Sequence, residues 1–208
     1  MTVIPVTITI TTASSDAQLE QILALQQRYL LQKLTRDQQH NEGFVYVEHS
    51  LPLLRNMVTQ SPLAIAVVAG RVVGYCLSMT VAMRDSIPSL VPMFDQFARC
   101  NYQGRALSSY RYVAGGQVCV DREYRGQGLL ARLYHEVARV SPPTCELCVT
   151  EIATRNTVSI KAHQKMGFEA VSTYADAHEE WVVVVWDLRK PDAQVPYGLQ
   201  PENGWEGA

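Results

Sequence analysis

The sequence predicts an α/β fold in which helices cover both faces of a twisted, mixed β-sheet. Apolar segments that suit strands alternate with segments of helical periodicity, and glycine-rich or polar turns separate them. This order of elements is typical of a layered sheet. The 208 residues, 47% of them hydrophobic, suit one moderately large domain. We predict this domain at residues 1–189 and a C-terminal tail without periodicity at 190–208.

The first half of the chain is predicted to contain helices that flank a hairpin. Ser15 or Asp16 can cap the first helix, and Gly70 with Arg71 can join two apolar strands. The segment 84–112 combines a helix with an aromatic-rich loop, and we interpret it as a lid or wall beside a substrate. The predicted elements are a strand at 3–11, a helix from about 16, a polar turn at 36–43, a helix at 48–58 and strands at 63–69 and 72–83.

The stretch from Gln117 to Val140 predicts a buried strand, a short glycine-rich turn and an amphipathic helix. The first N–H groups of a helix have no intrahelical partner and lie at the positive end of its dipole, so they can receive a phosphate. Glycines in the turn let an anion approach the backbone closely. The candidate anion-binding residues are Arg125, Gly126, Gln127, Gly128, Leu129 and Leu130.

The sequence of this turn indicates which kind of phosphate-containing ligand it could bind. It has no GK[ST] ending, which disfavours a P-loop for Mg-nucleotides. It also lacks a full GxGxxG with an acidic residue about twenty positions further on, which disfavours a dinucleotide fold. A pyrophosphate carried by another molecule fits better, although glycines between a strand and a helix can also be only a tight connection.

The remainder of the chain is predicted to add a strand, a helix and a final strand pair. Pro142 and Pro143 end the helix that follows the glycine turn, because proline cannot donate to the helical ladder. Gly167 is placed to end the next helix as a C-terminal cap. The predicted elements are a strand at 145–154, a helix at 157–166 and strands at 168–175 and 181–188.

Composition and charge exclude several classes of protein. The net charge is −2 and there is no Lys/Arg run, so a nucleic-acid partner is not expected. The N-terminus does not resemble a signal peptide and no apolar run reaches the roughly 20 residues of a membrane helix, so we expect a cytoplasmic protein without a membrane partner. Five cysteines in mostly strand-like contexts favour reduced thiols. Cys145 and Cys148 lack the companions of a zinc site, and no metal is predicted.

Two ordered motifs resemble the GCN5-related N-acetyltransferases (GNATs). The strand, ArgGlyXGly turn and helix are similar to the acyl-CoA pyrophosphate loop of that family. Thirty-one residues after Arg125, the segment Asn156–Val171 is similar to the family's signature of Asn, a small residue, an aromatic residue, Lys and GlyPhe. The resemblance covers roughly residues 3–189. Leu130 departs from the Gly or Ala that is common there, but backbone amides would hold the phosphate, so we expect CoA binding to survive.

The resemblance implies that two parallel strands splay apart in the middle of the sheet and that the pantetheine arm of acetyl-CoA enters the wedge. Here these strands would be Gln117–Val120 and Leu147–Ile152. Their free backbone groups would bind the arm and polarise the thioester carbonyl. Asn156 would bind the arm or the strand backbone and can also cap its helix. The predicted cofactor-binding residues of the wedge are Val118, Cys119, Val120, Asn156 and Ser159.

Acetyl transfer to an amine needs a neutral nucleophile, and therefore a base. Glu151 is the leading candidate, because its spacing from Asn156 is similar to that of the catalytic Glu in the ribosomal-protein-alanine acetyltransferases. An apolar wall could raise its pKa toward neutrality. Water or Asp121 is an alternative base, and Glu151 could instead pair with Arg155 or Lys161 and only steady the sheet.

His163 is the candidate general acid. It stands where many members of the family carry a Tyr that protonates the departing thiolate, and histidine can donate a proton near neutral pH. Alternatively, His163 only fills the helix face, and Tyr134 or water supplies the proton.

The acceptor is left open by the sequence. The charged residues of the loop 176–180 would attract a cationic amine, or are ordinary surface charge. A polyamine, an aminoglycoside, an amino acid or a protein N-terminus all remain candidates. The predicted function is acetyl transfer from acetyl-CoA to a primary amine of a small molecule or peptide; the alternatives are a catalytically idle acyl-CoA sensor and transfer of a longer acyl chain. Self-association through the tail or the last strands is also open.

Overall fold

The protein folds into a seven-stranded mixed sheet with helices on both faces. The computed structural model describes residues 7–86, 88, 91–190 and 193. The strands are β1 Thr9–Thr12, β2 Ala64–Val68, β3 Arg71–Thr80, β4 Asn101–Tyr102, β5 Arg105–Ala106, β6 Tyr112–Val120, β7 Leu147–Ala153, β8 Glu169–Ala175 and β9 Glu180–Asp187. The helices are α1 Asp16–Tyr29, α2 Arg36–Glu42, α3 Leu51–Gln60, α4 Val91–Arg99, α5 Leu129–Val140 and α6 Thr157–Lys165. The predicted α/β class is confirmed. The start of the predicted first strand and nearly all of the predicted tail lie outside the described residues.

The sheet order is β1-β2-β3-β6-β7-β9-β8, and β4 with β5 forms a separate small hairpin. In the main sheet β6 and β7 are parallel, whereas the other five neighbouring pairs are antiparallel. The parallel pair is short, because it extends only over Tyr112–Ala114 and Leu147–Val149. Beyond Ala114 the two strands separate, as the resemblance implied, and the sheet opens into a wedge.

Two apolar layers hold the sheet between its helices. Side chains alternate along β9, so Val183 and Val185 belong to the apolar layer that includes residues of α1 and α3, while Val184 and Trp186 belong to the layer that includes residues of α5. Each of these layers contains fully buried aliphatic side chains. Burial of one such side chain contributes roughly 1.5–3 kcal/mol, which fixes both layers against the strands that form the wedge.

Local chemistry explains where several elements differ from the predictions. The stretch predicted as a polar turn at 36–43 is helix α2, because Thr35 and Gln38 form a reciprocal capping box at its start. The second helix begins after Ser50, whose hydroxyl caps it, and not at Glu48. The hairpin turn lies at Ala69 and Gly70, both with positive φ (46° and 80°), while Arg71 already belongs to β3. Two left-handed residues suit a two-residue hairpin turn.

The segment 84–112 is more structured than the predicted helix and loop. Helix α4 turns Met93, Phe94 and Phe97 into the core. The loop that follows contains the β4–β5 hairpin, and the Tyr110 hydroxyl donates to the carbonyl of Tyr102 at 2.9 Å. The described residues of this segment therefore form a wall that packs on the core of the sheet. No helix among the described residues has the length and apolar character to cross a membrane.

Candidate active site

The wedge continues into a groove of about 750 Å³ between the ends of β6, α5 and α6. Ten of the eleven predicted cofactor-binding residues line this groove; Gln127 is not among the lining residues. The ten are Val118, Cys119, Val120, Arg125, Gly126, Gly128, Leu129, Leu130, Asn156 and Ser159. The two motifs that are distant in sequence thus meet at one concave surface.

The glycine turn has the backbone shape of an anion site. Gly126 and Gly128 have backbone φ angles of 74° and 69°, which residues other than glycine rarely adopt. Gly128 is also the N-cap of α5. A Cβ on Gly126 would meet no atom within 4 Å, so its outer side is open. The amide of Arg132 donates to the carbonyl of Gly128 at 3.1 Å. Amides earlier in the turn precede the helical ladder, so they are placed to receive an anion.

Arg125 lines the groove, but its side chain bonds backbone carbonyls of the protein. Its Nε donates to the carbonyl of Val120 at 2.9 Å and its Nη1 to the carbonyl of Glu42 at 2.6 Å. Its guanidinium also lies over the Tyr29 ring, and its own amide donates to the carbonyl of Arg122. Arg125 therefore ties the turn to α2 and does not offer its own amide to an anion.

The backbone of β6 presents alternate residues to the wedge. The amide of Asp121 donates to the carbonyl of Val73 on β3 at 2.8 Å, and Cys119 pairs with Tyr75 on the same strand. Because backbone groups alternate in direction along a strand, those of Cys119 face β3, and those of Val118 and Val120 face the wedge. For this reason the strand geometry does not support the prediction that the Cys119 backbone binds the cofactor arm.

Asn156 joins α6 to the loop that follows α2. Its Oδ1 accepts the amide of Ser159 at 3.4 Å, and its Nδ2 donates to the carbonyl of Phe44 at 3.1 Å. A Cβ on Gly43 would lie 2.9 Å from Asn156 Oδ1, so this close approach requires glycine. The capping role that the sequence left open for Asn156 is present.

A cavity of about 100 Å³ adjoins the groove, and the two share Phe44, Val45, Val118, Asn156 and Ser159 as lining residues. Glu151 lines this cavity. Burial raises the pKa of its carboxyl to about 7, although the hydrogen bond donated by the Tyr174 hydroxyl opposes the shift. A carboxyl with this pKa is poised to exchange a proton near neutral pH.

Neither the predicted pairing of Glu151 with Arg155 nor Asp121 as an alternative base fits the geometry. Arg155 lies 2.8 Å from Glu179, so it does not form the predicted pair with Glu151. Asp121 is not among the cavity's lining residues and bonds Arg28 at 2.9 Å. Burial alone would raise the pKa of Asp121, but the hydrogen bond and charge of Arg28 outweigh it and hold the pKa below its usual value. Asp121 therefore remains a paired carboxylate.

The geometry of His163 fixes its tautomer. Its Nδ1 lies 2.8 Å from the carbonyl of Ser159, which can only accept, so Nδ1 carries the proton. Its Nε2 then accepts from the Tyr134 hydroxyl at 2.9 Å. Burial lowers the pKa of His163 to about 4, so the ring is neutral at pH 7. His163 has no proton to give from Nε2, and this geometry does not support its predicted role as the acid.

In the acidic loop after β8, two of the carboxylates already bind neighbouring protein groups. Asp176 accepts the amides of His178 and Glu179, both at 2.7 Å, and the indole of Trp181 at 2.9 Å. Glu179 pairs with Arg155. These contacts favour a structural loop over a recognition site for cations.

Sequence reasoning missed a group of polar side chains at the cavity that Glu151 lines. His49 and Gln117 line it and connect to Gln26 and Tyr75 through buried hydrogen bonds. Gln26 and Gln117 are 91 positions apart, so no local spacing reveals the contact. Met93 of α4 also lines the cavity, which agrees with the interpretation of the segment 84–112 as a wall.

Comparison with solved structures defines the class of fold. Arabidopsis thaliana NAA60 in complex with acetyl-CoA has a TM-score of 0.59 at 17% identity, and the match covers 87% of this chain and 99% of that chain. A chain of the NatC complex bound to Gag peptide and CoA gives 0.59 at 14% identity, with 87% and 98% covered. An N-acetyltransferase from Staphylococcus aureus Mu50 gives 0.55 at 18% identity, with 88% and 99% covered. At these identities the likeness shows an acetyltransferase fold.

The sequence itself narrows the class to a family. The model of the acetyltransferase (GNAT) family matches residues 28–168, which is more than half of the chain, so this protein belongs to the GNAT family of acetyltransferases. A search of curated proteins gave no match.

Proposed function

We propose that this protein transfers an acetyl group from acetyl-CoA to a primary amine, by direct attack of the amine while both substrates are bound. The observation that carries the proposal is the position of Glu151, a carboxyl with a pKa of about 7 in a cavity that adjoins the cofactor groove. Family membership supports acetyl transfer. Two of the compared structures contain acetyl-CoA, or CoA with a peptide, which supports this co-substrate and a peptide or amine acceptor.

The groove suits a CoA ester in both charge and shape. The open amides of the glycine turn would hold the pyrophosphate, and the backbone of Val118 and Val120 would bond the pantetheine arm in the wedge. The thioester supplies an activated acyl carbonyl. The Val118 amide, which faces the wedge, would stabilise the negative charge that develops on the carbonyl oxygen.

Proton transfer is assigned to groups that line the cavity. An ammonium has no lone pair, so the Glu151 carboxylate would remove a proton from the acceptor before attack. The departing sulfur needs a proton in return, and Tyr134 or water would supply it. Burial raises the pKa of the Tyr134 hydroxyl well above its usual range, which keeps it protonated but makes it a weak acid. The 2.9 Å hydrogen bond holds the hydroxyl proton toward His163 Nε2, so the hydroxyl would have to turn from His163 toward the sulfur to donate it.

Two measurements on one sample test the proposal. Thermal unfolding with and without acetyl-CoA reports binding, and release of free thiol in the presence of an amine panel reports transfer. Stabilisation with turnover on an amine supports the acetyltransferase. Stabilisation without turnover on any amine would favour the idle acyl-CoA sensor, and no stabilisation would contradict the cofactor assignment.

A further inference from the structure

Part of the lining of the cavity beside Glu151 is apolar and has no role in the proposed proton transfers. Leu77 and Met79 of β3 and Met93 of α4 line the cavity, and all three residues are buried. They belong to the same apolar layer of the sheet. A cavity of about 100 Å³ with such a lining has to hold both the acyl group and the attacking amine.

The cavity lies between the two strands that separate at the wedge. Residues 116–118 of β6 and 150–153 of β7 line it. Both stretches lie beyond Ala114 and Val149, the last residues at which the two strands pair. Val118 lines the cofactor groove as well, so the cavity is continuous with the place where the thioester would lie.

A bulge at Gly116 brings the Met79 side chain against the backbone of β6. The pairing register of β3 on β6 shifts between Leu77 and Ser78, and Gly116 is the extra residue of β6 at this shift. A Cβ built on Gly116 would lie 2.5 Å from Met79 Cε and 2.9 Å from the carbonyl oxygen of Leu77. The terminal methyl of Met79 therefore occupies the space that a side chain at position 116 would take.

The proposed position of the cofactor directs its acyl group toward this methyl. The glycine turn follows the C-terminal end of β6, so an arm that starts at the turn would bond first Val120 and then Val118. Gly116 comes next in the same direction, at most roughly 7 Å from Val118 along the strand. An acyl chain that lengthens from a carbonyl at the Val118 amide therefore runs toward Gly116 and the Met79 methyl.

We propose that Met79 limits the length of the acyl group, because its terminal methyl closes the cavity beside Gly116. An acetyl group ends before this methyl, whereas a butyryl chain would have to displace it. Met79 is only 1% exposed and packs in a filled apolar layer, and forcing extra methylenes into such a layer is destabilising. The donor is therefore a short acyl-CoA, and the longer acyl chain that the sequence left open is disfavoured. This inference rests on the proposed function.

Substitutions at Met79 and Met83 separate a limit on the acyl chain from general loosening of the core. Met79→Ala removes the side chain beyond Cβ, and Met79→Val also removes the terminal methyl but loses less volume and suits a strand. Met79→Leu keeps the volume and should keep the limit. Met83→Ala is the matched control, because Met83 is buried in the same layer but is not among the described residues that line the cavity.

The probes are free CoA, acetyl-CoA and butyryl-CoA, titrated calorimetrically into each protein. Affinity for free CoA, which has no acyl group, reports that a variant keeps its fold and its groove. Wild type should bind butyryl-CoA about tenfold more weakly than acetyl-CoA, as expected for overpacking. Met79→Ala and Met79→Val should remove most of this difference, whereas Met79→Leu and Met83→Ala should keep it. An unchanged difference in Met79→Val, an equal fall in Met83→Ala, or a wild type that binds both acyl-CoAs alike would overturn the inference.

Turnover keeps this test separate from that of the proposed function. Release of free thiol is followed for both acyl-CoAs with the amine panel. If wild type binds acetyl-CoA but transfers acetyl to no amine, the proposed transfer fails, and a preference for acetyl-CoA in binding that Met79→Val removes would still support the role of Met79. If wild type transfers acetyl and butyryl with equal kcat/KM, the proposed function stands and the role of Met79 is rejected.

Discussion

At the scale of single residues, Glu151 meets the strictest demand of the proposed reaction, because the attacking nitrogen must lose its proton. We expect Glu151→Gln to lower kcat by a factor of about 10²–10⁴, since the amide cannot accept that proton, with a smaller change in the KM for acetyl-CoA. Steady-state kinetics near pH 8 tests this. Glu179→Gln is the control, because Glu179 pairs with Arg155 and does not line the cavity. Equal losses in both variants would contradict a base at Glu151.

The raised pKa of Glu151 also has a consequence for stability. The folded state holds this proton up to about pH 7, whereas the unfolded carboxyl releases it near pH 4.5. The folded state therefore binds more protons in this window, and Glu151 reduces stability as the pH rises from 4.5 to 7. Glu151→Gln should be more stable relative to wild type at pH 8 than at pH 4. Urea denaturation at the two pH values measures the difference, and a difference of zero would show an ordinary pKa.

Tyr174 tunes the same carboxyl. Its hydroxyl donates to Glu151 and lowers the carboxyl pKa, in opposition to burial. We expect the rising limb of the wild-type kcat/KM profile near pH 7, and we expect Tyr174→Phe to move it to higher pH. Tyr110→Phe removes a buried hydroxyl outside the cavity and should leave the limb in place. A limb that does not move in Tyr174→Phe would separate Tyr174 from the proton transfer.

The role of a residue could be predicted from the sequence where backbone shape or spacing determines that role. It could not be predicted where the role depends on contacts that only the folded chain makes. The glycines at 126 and 128 were predictable as a turn because both have positive φ, and the family resemblance of the spacing from Asn156 led to the prediction of Glu151 as a base. The state of His163 was not predictable, since its proton position depends on a carbonyl and a hydroxyl that only the fold brings together. Asp121 failed as a base for the same reason, because its partner Arg28 comes from α1.

At the scale of elements, the turn between β6 and α5 should control cofactor binding. Gly126 and Gly104 are matched glycines, with φ of 74° and 75° and no atom within 4 Å of a built Cβ. Gly126→Glu places a carboxylate beside the predicted pyrophosphate site, whereas Gly104→Glu places it in the β4–β5 hairpin. Both substitutions carry similar backbone strain. We expect Gly126→Glu to weaken acetyl-CoA binding at least a hundredfold and Gly104→Glu to leave the affinity near wild type, as measured by calorimetry.

Elements with strong periodicity or caps were also the ones that could be predicted. Helix α1 begins at Asp16 after a Ser15 cap, as expected, and α5 and α6 follow their predicted positions. Helix α2 was missed because its residues are mostly polar and its signal is a capping box of two side chains. The β6–β7 wedge could be anticipated from family resemblance alone, because strand separation leaves no mark on hydrophobic spacing.

At the scale of the whole molecule, the sheet consists of two halves that meet at the short β6–β7 pairing. Strands β1, β2 and β3 lie on one side of β6, and β9 and β8 lie beyond β7. Across the wedge, Asn156 of α6 bonds the carbonyl of Phe44, so side chains outside the sheet help to join the halves. A ligand arm that bonds the open edge of β6 would add contacts at the place where strand pairing is missing.

Acetyl-CoA should therefore stabilise the entire fold and not only its binding turn. At a concentration about 100 times Kd, a ligand specific for the folded state adds about 2.7 kcal/mol, which for a chain of this size corresponds to roughly 5–10 °C in Tm. Hydrogen exchange locates the effect. Without ligand, the amides of Val118 and Val120 should exchange faster than that of Cys119, which faces β3, and acetyl-CoA should slow the first two. Slow exchange of all three before ligand is added would mean that the wedge is closed in solution, and the cofactor arm would then need another path to the cavity of Glu151.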